Sequence, residues 1–412
     1  MRILFTSLAF PFPASNGNRM RNSSLVRALA QEGHNVTLVA FVSDADRQHL
    51  SLAAPYCPSV IPVPLPSPGP VRSLVTRLVS ALRARPYGVL KFRSAAMQRA
   101  LRSELAAHAY DAIFCDDVYM LGNLPRECRL PVLLNKHDLT FEIMQRYARF
   151  ESNPLKRAYI AFEARNVRAW EIDACRRVRA VLACSQRDLD LLRGLCPAAG
   201  FAVVPNVIDV DSYSPVATND GHTVLYVGAM DWLPNRDAVR YFVAEILPEL
   251  RKLSPGVRLV VAGRALPPDF QRELQAPDVV FTGEVADMRT QISAAAVSIV
   301  PLRIGSGTRL KIMEAAAMER PVVSTSIGAE GLNFVNGADI EITDAPVEFA
   351  RVTAALLASP GRRESMGKAA RARAAQEYSI QALRRSLHRC LLEFVPSGNG
   401  NSVDSRRHQA VS

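Results

Sequence analysis

The segment Pro301-Leu-Arg-Ile-Gly-Ser-Gly-Thr-Arg-Leu-Lys-Ile-Met-Glu314 sets two glycines, two cations and a carboxylate in close succession. Gly305 and Gly307 would let an anion approach the backbone, and a helix opening near Thr308 would add free N–H groups and about half a positive charge. Arg309 and Lys311 in its first turn would oppose that dipole, which makes more sense if a phosphate sits there too. The bland alternative is a plain strand-to-helix turn with surface basics, since Gly-x-Gly alone is a weak signal. Glu314, one turn beyond Lys311, could reach a ribose diol, as acidic side chains do in other nucleotide folds.

A second group, Lys136-His137-Asp138, follows the apolar run Val132–Asn135. His137 therefore falls at the carboxyl end of an expected strand, where clefts open in parallel sheets; otherwise it only supports its neighbours. Asp116 and Asp117 follow Ala112–Cys115, either to bind a substrate or to cap the next segment. Three Asp-x-Asp pairs (Asp44/Asp46, Asp188/Asp190, Asp209/Asp211) match a metal-binding pattern, but none follows a buried strand into a carboxylate cluster, and no metal or other cofactor is expected. Trp232 is expected to pack in the core or its loop rather than to serve as a sugar platform.

The elements that must position these residues alternate regularly. In the first half, strands are expected at Ile3–Ser7, Val36–Phe41, Ala112–Cys115, Val132–Asn135, Val181–Cys184 and Ala202–Val204, with a helix over Asn18–Gln31 and a long one over Pro154–Arg177. After a linker-like stretch near Pro215–His222 the pattern restarts at Thr223–Val227, Arg258–Ala262, Val279–Phe281, Val297–Val300, Pro321–Ser324 and Asp339–Ile342. Such alternation means α/β architecture: two doubly wound, Rossmann-like domains, residues 1–210 and 218–377, with a ligand between them at the carboxyl ends of the strands. A helix at about 378–395 is expected to pack back on the first domain, and 396–412 to be a disordered tail.

The composition agrees. The 412 residues are 49% hydrophobic and 22% charged, with no run long enough to span a bilayer. Seven scattered cysteines form no Cys-x-x-Cys pair, which argues for a reducing, cytoplasmic compartment. The start, Met1-Arg2 and then Ile3–Phe12, is broken by Pro11 and Pro13 and reads as a retained βαβ unit rather than a signal peptide. The net charge of +11 is concentrated: Val71–Tyr110 holds eight basic residues and one acidic one. Val71, Leu74, Val75, Leu78, Val79 and Leu82 recur at helical spacing within it, so residues 71–102 begin with a basic amphipathic helix. That helix is either a solvated face or a peripheral contact with anionic lipid headgroups at the inner membrane face. No recognition motif accompanies the charge, so nucleic acid is not expected as a partner.

The order and spacing of these pieces resemble those of the retaining nucleotide-sugar glycosyltransferases of family 4, which have the GT-B fold of two Rossmann-like domains facing a central cleft. The resemblance covers nearly the whole chain and is strongest in Thr223–Thr325. Val224-Leu-Tyr-Val-Gly-Ala-Met-Asp-Trp-Leu-Pro-Asn235, Phe281-Thr-Gly-Glu-Val285, Pro205-Asn-Val-Ile-Asp209 and Gly33-His-Asn-Val36 look like family segments. The resemblance implies that Gly17 faces the donor diphosphate, with Gly305, Gly307 and Thr308 expected beside it; because the family's own cations are missing, Arg309 and Lys311 are expected to take over the diphosphate. It implies that Glu314 and Ser306 meet the ribose and sugar, that Gly283, Glu284 and Val285 form the base-binding loop, and that His137 and Asp138 act at the reacting sugar. Three departures stand out. Ser306 replaces the first of two glutamates usual in the family, and the Gly-Ser-Gly-Thr-Arg-Leu-Lys loop does not align with the usual form without a gap. The Arg and Lys that commonly hold the diphosphate after the first strand of the second domain are absent, with Ala229 and Asn235 near their places. The expected activity is retaining transfer of a sugar from a nucleotide-diphosphate sugar to a saccharide or lipid-linked acceptor, as in bacterial polysaccharide synthesis. A nucleotide-sugar epimerase and a catalytically idle nucleotide-sugar-binding subunit are the alternatives.

Overall fold

A computed structural model describes residues 1–67, 69–197, 199–215 and 220–396; the expected tail lies outside them apart from Pro396. The first lobe is a seven-stranded parallel sheet: β1 (Arg2–Ser7), β2 (Asn35–Val42), β3 (Ser59–Pro64), β4 (Ala112–Asp116), β5 (Val132–Asn135), β6 (Ala180–Ala183) and β7 (Gly200–Val203), in the order β3-β2-β1-β4-β5-β6-β7. The second has six: β8 (Thr223–Val227), β9 (Arg258–Ala262), β10 (Val279–Gly283), β11 (Val297–Val300), β12 (Val322–Ser324) and β13 (Glu341–Ile342), in the order β10-β9-β8-β11-β12-β13. Ile3 pairs with Val36 on one side and Ala112 on the other, so β1 lies inside its sheet. Its Ile3, Leu4 and Phe5 are all fully buried, as expected of a parallel strand covered on both faces.

Small polar residues start the helices that cover these sheets. Asn16 accepts from the Arg19 amide (3.1 Å) at the start of helix Gly17–Gln31, and Ser185 from the Asp188 amide (3.1 Å) at the start of Gln186–Leu195. Because all strands are parallel, the segments after β1, β4, β5, β8, β9 and β11 emerge at carboxyl ends, where such sheets bind ligands.

The last helix, Ile380–Phe394, returns to the first lobe. Its Leu383, Leu387, Cys390, Leu391 and Phe394 belong to the same core as Ile3, Phe5, Leu25 and Leu29, and Arg384 bonds Glu32 at 2.5 Å. All seven cysteines are free thiols, and no helix among the described residues is long and apolar enough to cross a membrane.

The basic helix forms over Pro70–Leu82, but its apolar stripe does not face the core. Ser80 is the buried residue, donating to the Arg85 carbonyl at 2.6 Å, while Val71, Leu74, Val75, Leu78 and Leu82 are 51% to 86% exposed. Leu155, at the start of helix Pro154–Arg177, is also exposed.

Candidate active site

A cavity of about 560 Å³ lies between the lobes. The first lobe contributes Asn16, Gly17 and Asn18 after β1, and Asp138 and Ile143 after β5. The second contributes Ala229, Asp231, Trp232 and Asn235 after β8, Arg264 after β9, and Ile304 to Ser306, Thr308, Arg309 and Lys311 after β11. Gly17, Asp138, Gly305, Ser306, Thr308, Arg309 and Lys311 are thus brought to one place. Outside its walls lie His137, Gly307, Glu314 and the loop of Gly283, Glu284 and Val285, as do the three Asp-x-Asp pairs.

Lys311 is the central cation. Helix Leu310–Ala317 begins one residue before it, and its ammonium donates to the Tyr226 hydroxyl and to Asn235 Oδ1, both at 3.1 Å, while lying 4.2 Å from the Tyr226 ring centre. No carboxylate comes within ion-pair distance among the described residues. Burial, and then the charge of Arg309, push its pKa down to about 7. Asn235 stands near the place of a cation usual in the family, and the ammonium that reaches it comes from another helix.

Arg309 departs from expectation. The helix starts at Leu310, not near Thr308, so Arg309 occupies the N-cap position with an extended backbone instead of the first turn. Its buried guanidinium turns back on its own loop, donating to the carbonyls of Ser306 and Gly307 and, at 3.2 Å, to that of Ile327. It shapes the Gly305–Gly307 loop, whereas Arg264 was overlooked and is exposed in the cavity wall with no side-chain hydrogen bond or ion pair among the described residues. The sequence signal for it was slight: a lone Arg in a Gly-Arg-Ala turn after a strand.

The same loop closes against the first lobe. Ser306 Oγ accepts from the Leu139 amide at 3.3 Å and lies 3.4 Å from Glu142 Oε2, so a carboxylate of the other lobe approaches the place of the missing glutamate. Arg146 donates to the Gly305 carbonyl and grips Glu330 at 2.6 and 2.7 Å; Arg187 joins Glu142 to Glu330. Gly307 has φ +75°, and a Cβ there would lie 2.9 Å from the His137 carbonyl oxygen. Only glycine allows both that backbone conformation and that approach. Thr308 Oγ1 accepts from Asn206 at 2.8 Å, and Asn206 in turn accepts from the buried Arg21 at 3.0 Å.

Beneath the cavity, Asp116 gathers donors. It accepts from the Leu8 amide (3.1 Å), Ser7 Oγ (3.1 Å) and Asn22 Nδ2 (2.7 Å), and it meets His137 Nε2 at 2.5 Å. Burial alone would raise its pKa, but the His137 ring and the hydrogen bonds outweigh that and hold it below the usual value. His137 therefore directs its ring to this buried carboxylate rather than into the cavity. The place in the cavity wall falls to Asp138, whose pKa is raised by burial. Lys136 is buried against Glu171 (3.0 Å) and Asp117 (3.7 Å), locking the base of the same turn.

Glu314 accepts from the Tyr213 hydroxyl at 3.1 Å, and burial raises its pKa. Trp232 contradicts its expected packing role: it is 53% exposed at the cavity wall, held by the backbone and not by its ring.

Two parallel-sheet lobes meeting at such a cavity form the GT-B fold, and comparison with known proteins names the class. Residues 20–212 match the model described as Glycosyltransferase Family 4, and residues 221–359 that described as Glycosyl transferases group 1. The chain belongs to the family 4-like glycosyltransferases and is a transferase enzyme. It is 24% identical over 369 residues to an uncharacterized 44.6 kDa protein in the cps region of Klebsiella pneumoniae, covering 85% of this chain and 89% of the relative. Among solved structures, sucrose-phosphate synthase of Thermosynechococcus elongatus superposes with a TM-score of 0.71 at 19% identity, over 95% of this chain and 98% of that one. HepE of Anabaena in complex with UDP-glucose gives 0.66 at 16% identity, over 95% and 100%.

Proposed function

We propose that this enzyme transfers a sugar, with retention at the anomeric carbon, from a nucleotide-diphosphate sugar to the saccharide end of a lipid-linked acceptor at the inner face of a bacterial membrane. The observation that carries the donor side is Lys311: a cation without a carboxylate, beside a helix N-terminus, in a cavity between two lobes. The donor's diphosphate supplies the missing negative charge, with Arg264 as the second cation and the Gly305–Gly307 backbone around it. Glu314 takes the ribose, and Asp138 faces the sugar. HepE binds UDP-glucose, which makes a nucleotide sugar a fitting donor class.

As the sugar–oxygen bond breaks, charge grows on the leaving phosphate, where preorganised cations and amides act most strongly in a site closed to water. That phosphate oxygen takes the acceptor hydroxyl's proton as attack occurs on the same face, so no second carboxylate need act as nucleophile. This chemistry calls for no metal and no cofactor. The test is a panel of UDP-, GDP- and ADP-sugars scored for thermal stabilisation and slow hydrolysis, with Glu314→Ala alongside. Stabilisation and nucleotide release by one donor, both weakened in the variant, are expected; silence toward every donor would overturn the reading.

The acceptor side rests on helix Pro70–Leu82, whose outward apolar residues and exposed Arg77, Arg83 and Arg85 suit a monolayer of anionic headgroups. The protein should sediment with vesicles containing phosphatidylglycerol and stay in solution with pure phosphatidylcholine. Leu74→Ser with Leu78→Ser should release it, and unchanged sedimentation of that double variant would rule this helix out.

A further inference from the structure

We propose that Trp232, with Asp231 beside it, forms the acceptor subsite: an indole on a firmly held backbone, against which the terminal pyranose of the acceptor stacks. The inference deepens the function proposed above and rests on it.

An exposed tryptophan is unusual enough to require a reason, since about half of its large apolar surface remains in water here. Its backbone is not loose. The Trp232 amide donates to the Ala229 carbonyl at 3.3 Å, and its own carbonyl accepts from the Asn235 and Arg236 amides at 3.0 and 3.3 Å, at the start of helix Leu233–Tyr241. A rigid mount carrying a solvent-facing ring offers a large contact area at small entropic cost, because only two side-chain torsions remain to be fixed.

The surroundings choose the occupant. Asp231, next in the chain, lines the cavity beside Trp232 on the second lobe, and Asn18 lines it from the first. A pyranose has an apolar C–H face edged by hydroxyls, which matches an aromatic plane accompanied in the cavity wall by a carboxylate and an amide. The ring is also open on the solvent side. A saccharide longer than the cavity can therefore lie on it and continue outward, whereas the donor is held by its diphosphate at Lys311 and its ribose at Glu314. Asn235 ties the two sites together: its amide nitrogen donates at 2.8 Å to the Ala229 carbonyl, in the loop that also receives the Trp232 amide, and its oxygen accepts from Lys311. Leaving group and acceptor are thereby referenced to one loop.

The chain has two tryptophans, and the other, Trp170, donates its indole N–H to the Val118 carbonyl at 3.2 Å and is not part of the cavity wall. In Trp170→Phe the emission comes from Trp232 alone. With the nucleoside diphosphate of the preferred donor present, methyl pyranosides of glucose, galactose, mannose and N-acetylglucosamine are titrated in, with sorbitol as the open-chain control. At least one pyranoside should give a saturable blue shift and sorbitol none. Trp232→Ala should raise the KM for the saccharide acceptor tenfold or more while donor-induced thermal stabilisation persists, and Trp232→Phe should restore most of the acceptor affinity. If Trp170→Phe does not fold, the difference in emission between the wild type and Trp232→Phe supplies the same signal. Silence toward every pyranoside in a protein that its donor stabilises would overturn the proposal. So would a Trp232→Ala variant that loses donor stabilisation, since the ring would then serve the donor. A wild type that no donor stabilises would instead sink the function proposed above, and this inference with it, before any pyranoside is added.

Discussion

Lys311→Met should lower kcat/KM for the donor by about 10²–10³-fold, the loss found when one preorganised group facing a developing anion is removed. The empty protein should be no less stable for it, because methionine nearly matches the shape of the lysine stem and removes a charge that burial disfavours. Few substitutions in a folded protein are expected to combine those outcomes. Lost stability together with lost activity would make Lys311 a structural residue and remove it from the phosphate site. The pH dependence gives an independent check. The folded, empty protein holds this amine near pKa 7 against an ordinary 10.5, so between those values the unfolded chain binds the extra proton. Stability of the empty protein from this group thus rises as pH climbs from 7 toward 10. A bound diphosphate raises the amine's pKa again, so donor affinity should be greatest below about pH 7 and fall by up to tenfold per unit above it. Calorimetric titration of the donor at pH 8 in buffers of different ionisation enthalpy should show proton uptake, absent in Lys311→Met.

Asp116→Ala should cost about 3–5 kcal/mol, because it leaves several buried donors without the carboxylate that accepts from them. Its carboxylate ties the end of β1, through Ser7 and Leu8, to Asn22 on the following helix and to His137 after β5. Its pKa is held down in the folded state, so the stabilisation is present above the ordinary carboxylate range near 4 and is lost as pH falls through the depressed value. The urea midpoint of the first lobe, followed by Trp170 emission in Trp232→Phe, measures this. A shift equivalent to less than about 1 kcal/mol would show that the junction does not depend on Asp116.

The central strands were legible because burial on both faces leaves them as short apolar runs; the second lobe's strands at Thr223, Arg258 and Val297 begin where the pattern places them. β3 escaped notice because Ser-Val-Ile-Pro-Val-Pro carries two prolines, which read as loop. It is an edge strand, where a missing N–H can face away from the ladder. Within the site, glycines and cations after β11 announced an anion, but which cation faces it depends on where side chains turn. Arg309 curls back to carbonyls of its own loop, a choice set by three-dimensional proximity that spacing does not encode. Trp232 was misread for the reverse reason: the general tendency of aromatics toward burial carries no information about a residue mounted at a cavity wall.

The return of helix Ile380–Phe394 to the first lobe makes the second lobe an insert within the first rather than a successor to it. Two covalent crossings join them, one after β7 and one at Tyr378–Ser379. Relative motion of the halves is then a swing about the line through both crossings, as in a clamshell with two pins, and sliding or twisting apart is suppressed. Cutting the chain at the first crossing would not yield two domains. It would leave one half missing a wall of its core and the other bearing a stray amphipathic helix whose leucines belong elsewhere.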